Sequence, residues 1–463
     1  MRWAARITWF AVLTLAFVAG PAAADDPVFE TALQQQSRTG EPVIAVDPNV
    51  PGLLLEQDAS ATRLSRDYGT TWTQIDGGVV DPAVAIDPEG RFIAHDGADP
   101  GRLGPLDGFI VHTSADQGKT WSAPVQTFTN PQLDPQNARA TAIAWDRPWV
   151  AADGQTGTVY ASIAAHTEQP SNNLADPAVL ANFLGCEATV FTNAVLYCGR
   201  RYVSASHDHG QTFGAAHPID SADYPNTMTG GFSGIPVAAH GVLATAYYAP
   251  TAPGQDCPCL IFETSDDDGA HWQRHVVPGA APVVSNGPLS AFNADPTRPP
   301  YFWPLISDSP SVELGPFPAV DPSRPGHFAV LMQDATRAHL LVYETSDGGA
   351  HWSRPASLAG GAGDTLERPW LAFAANGALI AFWRADHGRE GSAYDLSIAV
   401  QRPHLNEFDP PVRLNAMTSP GSGDFQDDAS YAAGDDHYAY GLWGDTRDGQ
   451  TDPWFGRFRY AGD

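Results

Sequence analysis

Positive charge is the first thing this chain lacks. Only 25 of its 463 residues are Lys or Arg, against 53 Asp or Glu, a formal charge of −28 at pH 7, and Lys119 is the single lysine. Such an acidic surface repels phosphate backbones and anionic headgroups, which argues against nucleic acid and charged membranes as partners. Long apolar runs are absent beyond the N-terminus, so no membrane span is expected. There is no Gly-x-x-x-x-Gly-Lys phosphate loop, no Gly-x-Ser-x-Gly elbow and no His-Glu-x-x-His pair. Helix-type periodicity is scarce too. The 44 Gly and 40 Pro sit between short β-rich runs, and an all-β fold is expected.

Cysteines are few: Cys186, Cys198, Cys257 and Cys259. No His is spaced alongside Cys257-Pro258-Cys259 as a zinc site would require, so neither metal nor cofactor is expected. In an exported protein the four would form disulfides. The local pairing Cys186–Cys198 and Cys257–Cys259 is preferred, with cross-pairing open because a Cys-Pro-Cys ring is tight. Export itself is read from residues 1–24. Arg2 and Arg6 precede an apolar run from Ile7 to Ala19, and Ala22-Ala23-Ala24 is a cleavage signal of the A-x-A type. The mature chain, residues 25–463, is then expected to be secreted, as one domain and a monomer.

One eight-residue pattern recurs. Ser114-Ala115-Asp116-Gln117-Gly118-Lys119-Thr120-Trp121 has relatives at Ser65–Trp72, Ser206–Phe213, Ser265–Trp272 and Thr345–Trp352. The chemistry is that of a hairpin tip: Asp caps the turn through backbone N–H groups, Gly supplies positive φ, and the aromatic opens the next strand. A residue repeated in every copy reads as structural rather than reactive. The octapeptides resemble Asp boxes, the BNR repeats of sialidases and other secreted β-propellers, and that resemblance implies a propeller of four-stranded blades.

A second repeat precedes each tip, a Pro followed by small and β-branched residues. It runs through Glu41-Pro42, Asp81-Pro82, Arg147-Pro148, Ile235-Pro236, Phe317-Pro318 and Arg368-Pro369, with a Pro-less copy at Asp428-Ala429-Ser430-Tyr431. Seven such units predict seven blades, with six the alternative that sialidases would imply. The last unit lacks a fourth strand, which Val28–Gln36 is placed to supply.

Long insertions fall between the fourth and first strands and between the second and third, so they share the face opposite the tips. Function is expected there, on a carbohydrate, small-molecule or peptide ligand. The mouth of the channel on that face would carry Arg147, Arg368 and Arg384, with Asp445 and Arg447 near the end of the last second strand, as ligand-binding groups. Likeness to sialidases implies that Arg147, Arg368 and Arg447 form an arginine triad, with Asp81 or Asp146 as acid and Tyr431 with Glu367 as the nucleophile pair. The Arg-Ile-Pro motif of that family is absent, Glu41-Pro42 standing in its place. Asp146–Arg147, Glu367–Arg368 and Asp445–Arg447 read equally well as ion pairs between blades. Trp149 and Trp370 read as core or as a stacking surface for a sugar. Asp424, Asp427, Asp428, Asp435 and Asp436 read as an acidic turn. Two functions stay open: a sialidase-like glycoside hydrolase, or a non-catalytic propeller that binds a glycan, peptide or protein.

Overall fold

The computed structural model describes residues 28–34, 41–96, 109–127, 143–167, 199–224, 226, 233–249, 252–257, 259–280, 315–334, 336–388, 391–421 and 430–461, with the backbone alone at 143–146, 165–167 and 199–200. These residues form seven four-stranded antiparallel sheets and no helix. The first strands are Val43–Val46, Val84–Ile86, Ile143–Ala152, Val237–Ala239, Phe317–Val320, Thr365–Phe373 and Ser430–Gly434. Each packs against the first strand of the blade before and after it, the seventh against the first, so the sheets close a ring. Seven blades, not six, make the propeller.

Closure uses the segment ahead of the first blade. Val28–Ala32 pairs antiparallel with Asp452–Arg459, the third strand of blade 7, with Glu30 opposite Gly456. The first and last described strands are thereby held in one sheet, which closes the ring.

All five octapeptides fold alike. In the first, Ser65 Oγ donates to Asp67 Oδ1 at 2.9 Å and accepts from the Gly69 N–H at 2.8 Å. Asp67 also accepts from the N–H and hydroxyl of Thr71, at 2.8 and 2.7 Å. In the last two copies His271 and His351 replace that hydroxyl through Nδ1, at 2.6 and 2.7 Å. Bonds from Thr120 hold the Asp116 carboxyl down to about 2. The aromatics pack sideways as expected, Trp72 against Phe455 of blade 7 at 5.2 Å and Trp352 against Phe262 of blade 4 at 5.1 Å. Gly69 has φ +79°, and a Cβ there would lie 2.2 Å from the Phe455 ring. Gly69→Ala is expected to cost about 1–3 kcal/mol from strain and crowding together, read from the urea midpoint.

A second set of turns, between the first and second strands, lies on the same face, and its ties between blades had no signal in the sequence. Asp435 ends the first strand of blade 7 and caps its own turn by accepting from the N–H groups of His437 and Tyr438, at 2.8 and 2.9 Å. Its other oxygen accepts from Gly52 N–H of blade 1 at 3.2 Å. Asp153 does the same for its own turn and for Gly241 of blade 4, at 2.6 Å. Both carboxylates are buried. One carboxylate therefore closes a turn and ties it to the next blade, which makes the tip face structural.

Candidate functional site

At the opposite end of the first strands, three residues just before proline adopt left-handed backbone: Asp81 (φ 54°), Arg147 (φ 49°) and Arg368 (φ 50°). The ladders of blades 3 and 6 skip register there, between Asp146 and Trp149 and between Glu367 and Trp370. These are β-bulges. They turn the Arg-Pro pair out of the ladder while the strand runs on, at a conformational cost that the surroundings must hold.

The surroundings are specific. Arg201, fully buried, donates to the Arg147 carbonyl at 3.0 Å, to Ser162 Oγ at 3.2 Å and to the Ser233 carbonyl at 3.1 Å. His95 Nδ1 donates to the Asp81 carbonyl at 2.9 Å. In blade 4, Thr245 Oγ1 donates to the Ile235 carbonyl at 3.0 Å. The carbonyls of Asp81, Arg147 and Ile235, each before a proline, thus meet a side chain of their own blade. Arg201 gave no signal in the sequence, because nothing local marks it.

Burial pushes the His95 imidazole down to about 4, although its bond to Asp81 pulls the other way. Between its ordinary 6.5 and about 4, the unfolded chain binds a proton at this residue and the folded chain does not. Stability contributed by neutral His95 is therefore lost as pH falls through that window. His95→Gln is expected to flatten the fall in melting temperature between those two pH values. An unchanged slope would sink the assignment.

Arg147 reaches across two blades. Its Nη1 lies 2.9 Å from Glu41 Oε1 and 3.6 Å from Asp81 Oδ1, with all three side chains at least partly buried. The two carboxylate oxygens are therefore no more than 6.5 Å apart, the sum of those distances. The start positions of blades 1, 2 and 3 converge in this cluster.

Beside it the channel is filled with aromatic rings. Trp149 and Trp370 meet across the ring at 5.0 Å. Tyr431 stacks on Trp149 at 5.7 Å and 16° and meets Trp370 at 4.6 Å, while Phe317 closes on Trp370 at 5.1 Å. Trp370 and Tyr431 are buried, and Trp149 keeps part of its surface exposed. Trp370 is core, one of its two readings, while Trp149 packs against it with part of its surface open, and the two meet across the channel from blades that are not neighbours.

The remaining expected residues do not join this cluster in the contacts described. Tyr431 sits inside the aromatic stack, not at the rim. Glu367, buried, faces Arg337 Nη1 of blade 5 at 3.6 Å. Arg384 grips Asp386 through two nitrogens, at 2.5 and 2.9 Å, with its flat face 4.1 Å from the Tyr394 ring. Arg447 pairs with Asp445 at 2.7 Å and forks onto Glu30 at 3.0 and 3.2 Å. Of the three arginines expected as a triad, Arg147 is held by Glu41 and Asp81, and Arg447 by Asp445 and by Glu30 of the closing strand. Asp445 accepts from Ser419, Trp443, and the Arg447 side chain and N–H. Asp146 lies in the first strand of blade 3 opposite Ala164, and its side chain is outside the described set.

Cys257 and Cys259 are bonded to one another, the local pairing, with their Cα atoms 4.5 Å apart. Cys186, Cys198, Asp424, Asp427 and Asp428, the signal segment and most of the long insertions lie outside the described residues.

No family model and no curated protein matches the sequence. Solved structures do align with the fold. One is the Hadza microbial sialidase Hz136, at 14% identity over 89% of this chain and 74% of that one, with a TM-score of 0.45. Another is a protein of unknown function from Dyadobacter fermentans, at 13% identity over 94% and 100% of the two chains, TM-score 0.49. A third is the intramolecular trans-sialidase of Ruminococcus gnavus in complex with oseltamivir carboxylate, at 13% identity over 82% and 94%, TM-score 0.41. Sialidases are among the solved structures that align with this chain, at identities that say nothing of its activity.

Proposed function

We propose that this is an exported propeller that binds carbohydrate at the channel mouth opposite the octapeptide tips. One observation carries the reading: a partly exposed tryptophan, Trp149, backed by Trp370 and Tyr431, lies two residues from an arginine gripped by two carboxylates. Sugar sites pair a flat apolar surface with a few convergent polar groups, the ring face stacking and the hydroxyls bonding. The bulge at Arg147 and the left-handed backbone at Asp81 bring such polar groups together at the starts of the first strands. A glycan array with the purified protein tests the reading. Binding should appear on the array, and Trp149→Ala should weaken it about tenfold, the loss of one aromatic contact of about 1.5 kcal/mol. No binding to any glycan by folded protein would end the proposal.

Hydrolysis is the second reading, favoured by the Glu41–Asp81 oxygens lying within 6.5 Å. Carboxyl groups about 5–5.5 Å apart suit double displacement at a glycosidic bond. Turnover of aryl glycosides that Glu41→Gln and Asp81→Asn each reduce by at least about a hundredfold would support it, a factor typical of removing a proton-transfer group.

A further inference from the structure

We infer that the site selects uncharged sugars and rejects those bearing a carboxylate, with Glu41 and Asp81 as the residues that set this preference. The inference rests on the carbohydrate reading above and concerns which sugars the same site takes.

The argument starts from where the arginines are directed. An anionic sugar is held by guanidinium forks that turn their N–H groups to the ligand. Arg147 turns Nη1 to Glu41 at 2.9 Å and to Asp81 at 3.6 Å. Arg384 gives Nε and Nη2 to Asp386 and lays its plane on Tyr394. Arg447 gives both Nη atoms to Glu30 and shares one with Asp445, its plane 3.8 Å from the Trp454 ring. Arg201 donates to two carbonyls and a hydroxyl inside blades 3 and 4. Arg147, Arg384 and Arg447, expected to meet a ligand's negative charge, meet the protein's own carboxylates instead.

A ligand carboxylate at this mouth would have to displace Glu41 or Asp81 from Arg147, or lie beside them as a third negative charge. Either course opposes binding, the first by breaking a partly buried pair and the second by like-charge repulsion at low local dielectric. A neutral ring meets neither obstacle. It stacks on Trp149, and its hydroxyls donate hydrogen bonds to carboxylates already oriented by Arg147.

The test compares lactose with sialyllactose by calorimetry on the full chain, at low salt, alongside paired neutral and sialylated glycans on an array. Neutral members should bind, and each sialylated partner at least tenfold more weakly. In Glu41→Gln and in Asp81→Asn the gap should narrow by at least threefold, with melting temperatures reported for each variant so that unfolding is recognised. Asp96→Asn, a change on a blade 2 carboxylate that faces His112 at 3.7 Å, should leave the ratio unchanged. Equal or tighter binding of the sialylated members overturns the selectivity while leaving the carbohydrate reading intact. An unchanged gap in both folded cluster variants, or the same narrowing in Asp96→Asn, overturns the role of Glu41 and Asp81. Binding of neither class overturns both.

Discussion

Replacing Arg447 by alanine is expected to lower the stability of the folded chain by about 3–5 kcal/mol, the cost of removing one partner from a buried ion pair. The side chain joins three parts of blade 7. It grips Glu30 on the closing strand Val28–Ala32, pairs with Asp445 at the end of the second strand, and lies flat on Trp454 of the third. Asp445 is fully buried and Arg447 nearly so. Burial opposes the charge on Asp445, but bonds from Arg447, Ser419 and Trp443 hold its carboxyl below the usual range. Stability from that depressed group is present above its ordinary pKa and lost only as pH falls through the lower folded value. At neutral pH the alanine variant leaves two carboxylates without their cation. The closing strand should then be cut first by protease, and the urea midpoint should fall. Arg447→Lys should recover only part of the loss, because a point charge cannot fork onto Glu30 and stack on Trp454 together. A midpoint within experimental error of the parent would show that backbone pairing alone closes the ring.

Trp370→Ala is the second large effect, about 3–5 kcal/mol as for other large aromatics removed from a core. Its ring touches Phe317 of blade 5, Trp149 of blade 3 and Tyr431 of blade 7, so one side chain braces three blades across the channel. The cavity left cannot collapse easily, because every wall is a first strand fixed by its own blade. Thermal unfolding should show the loss, and ligand binding should fall with it since Trp149 would lose its backing. Trp370→Phe should cost markedly less. Full stability in the alanine variant would mean that the plug is filler and the ring is held from outside.

The parts of this protein that were legible in the sequence are those settled over a few residues. The octapeptide turn closes through bonds two and four residues apart, Ser65 to Asp67 and to Gly69, so its five copies were visible as text. The seven copies of the first-strand repeat marked the blades, and the last unit's missing fourth strand pointed to the segment that closes the ring. The Asp turns at the ends of the first strands were half visible. Their Asp and Gly stood out, but the bond from Gly52 N–H to Asp435 spans 383 positions.

The roles of the arginines were not legible for the same reason, in stronger form. Arg147 meets Glu41 at a separation of 106 residues, and Arg447 meets Glu30 at 417. A guanidinium before a proline reads identically whether it faces a ligand, a neighbouring blade or the closing strand. Its partner decides which, and the partner arrives only when the ring closes. The sequence by itself determined an all-β ring of repeated blades, because turn chemistry and strand alternation are short-range properties. Only the tertiary structure decided that blades 3 and 6 meet through Trp149 and Trp370, that Arg447 closes the ring, and that Arg147 is held by two carboxylates. The energy of a charge or an aromatic ring depends on what lies within a few ångströms of it, and for Arg147 and Arg447 the carboxylates that matter include ones 106 and 417 residues away along the chain.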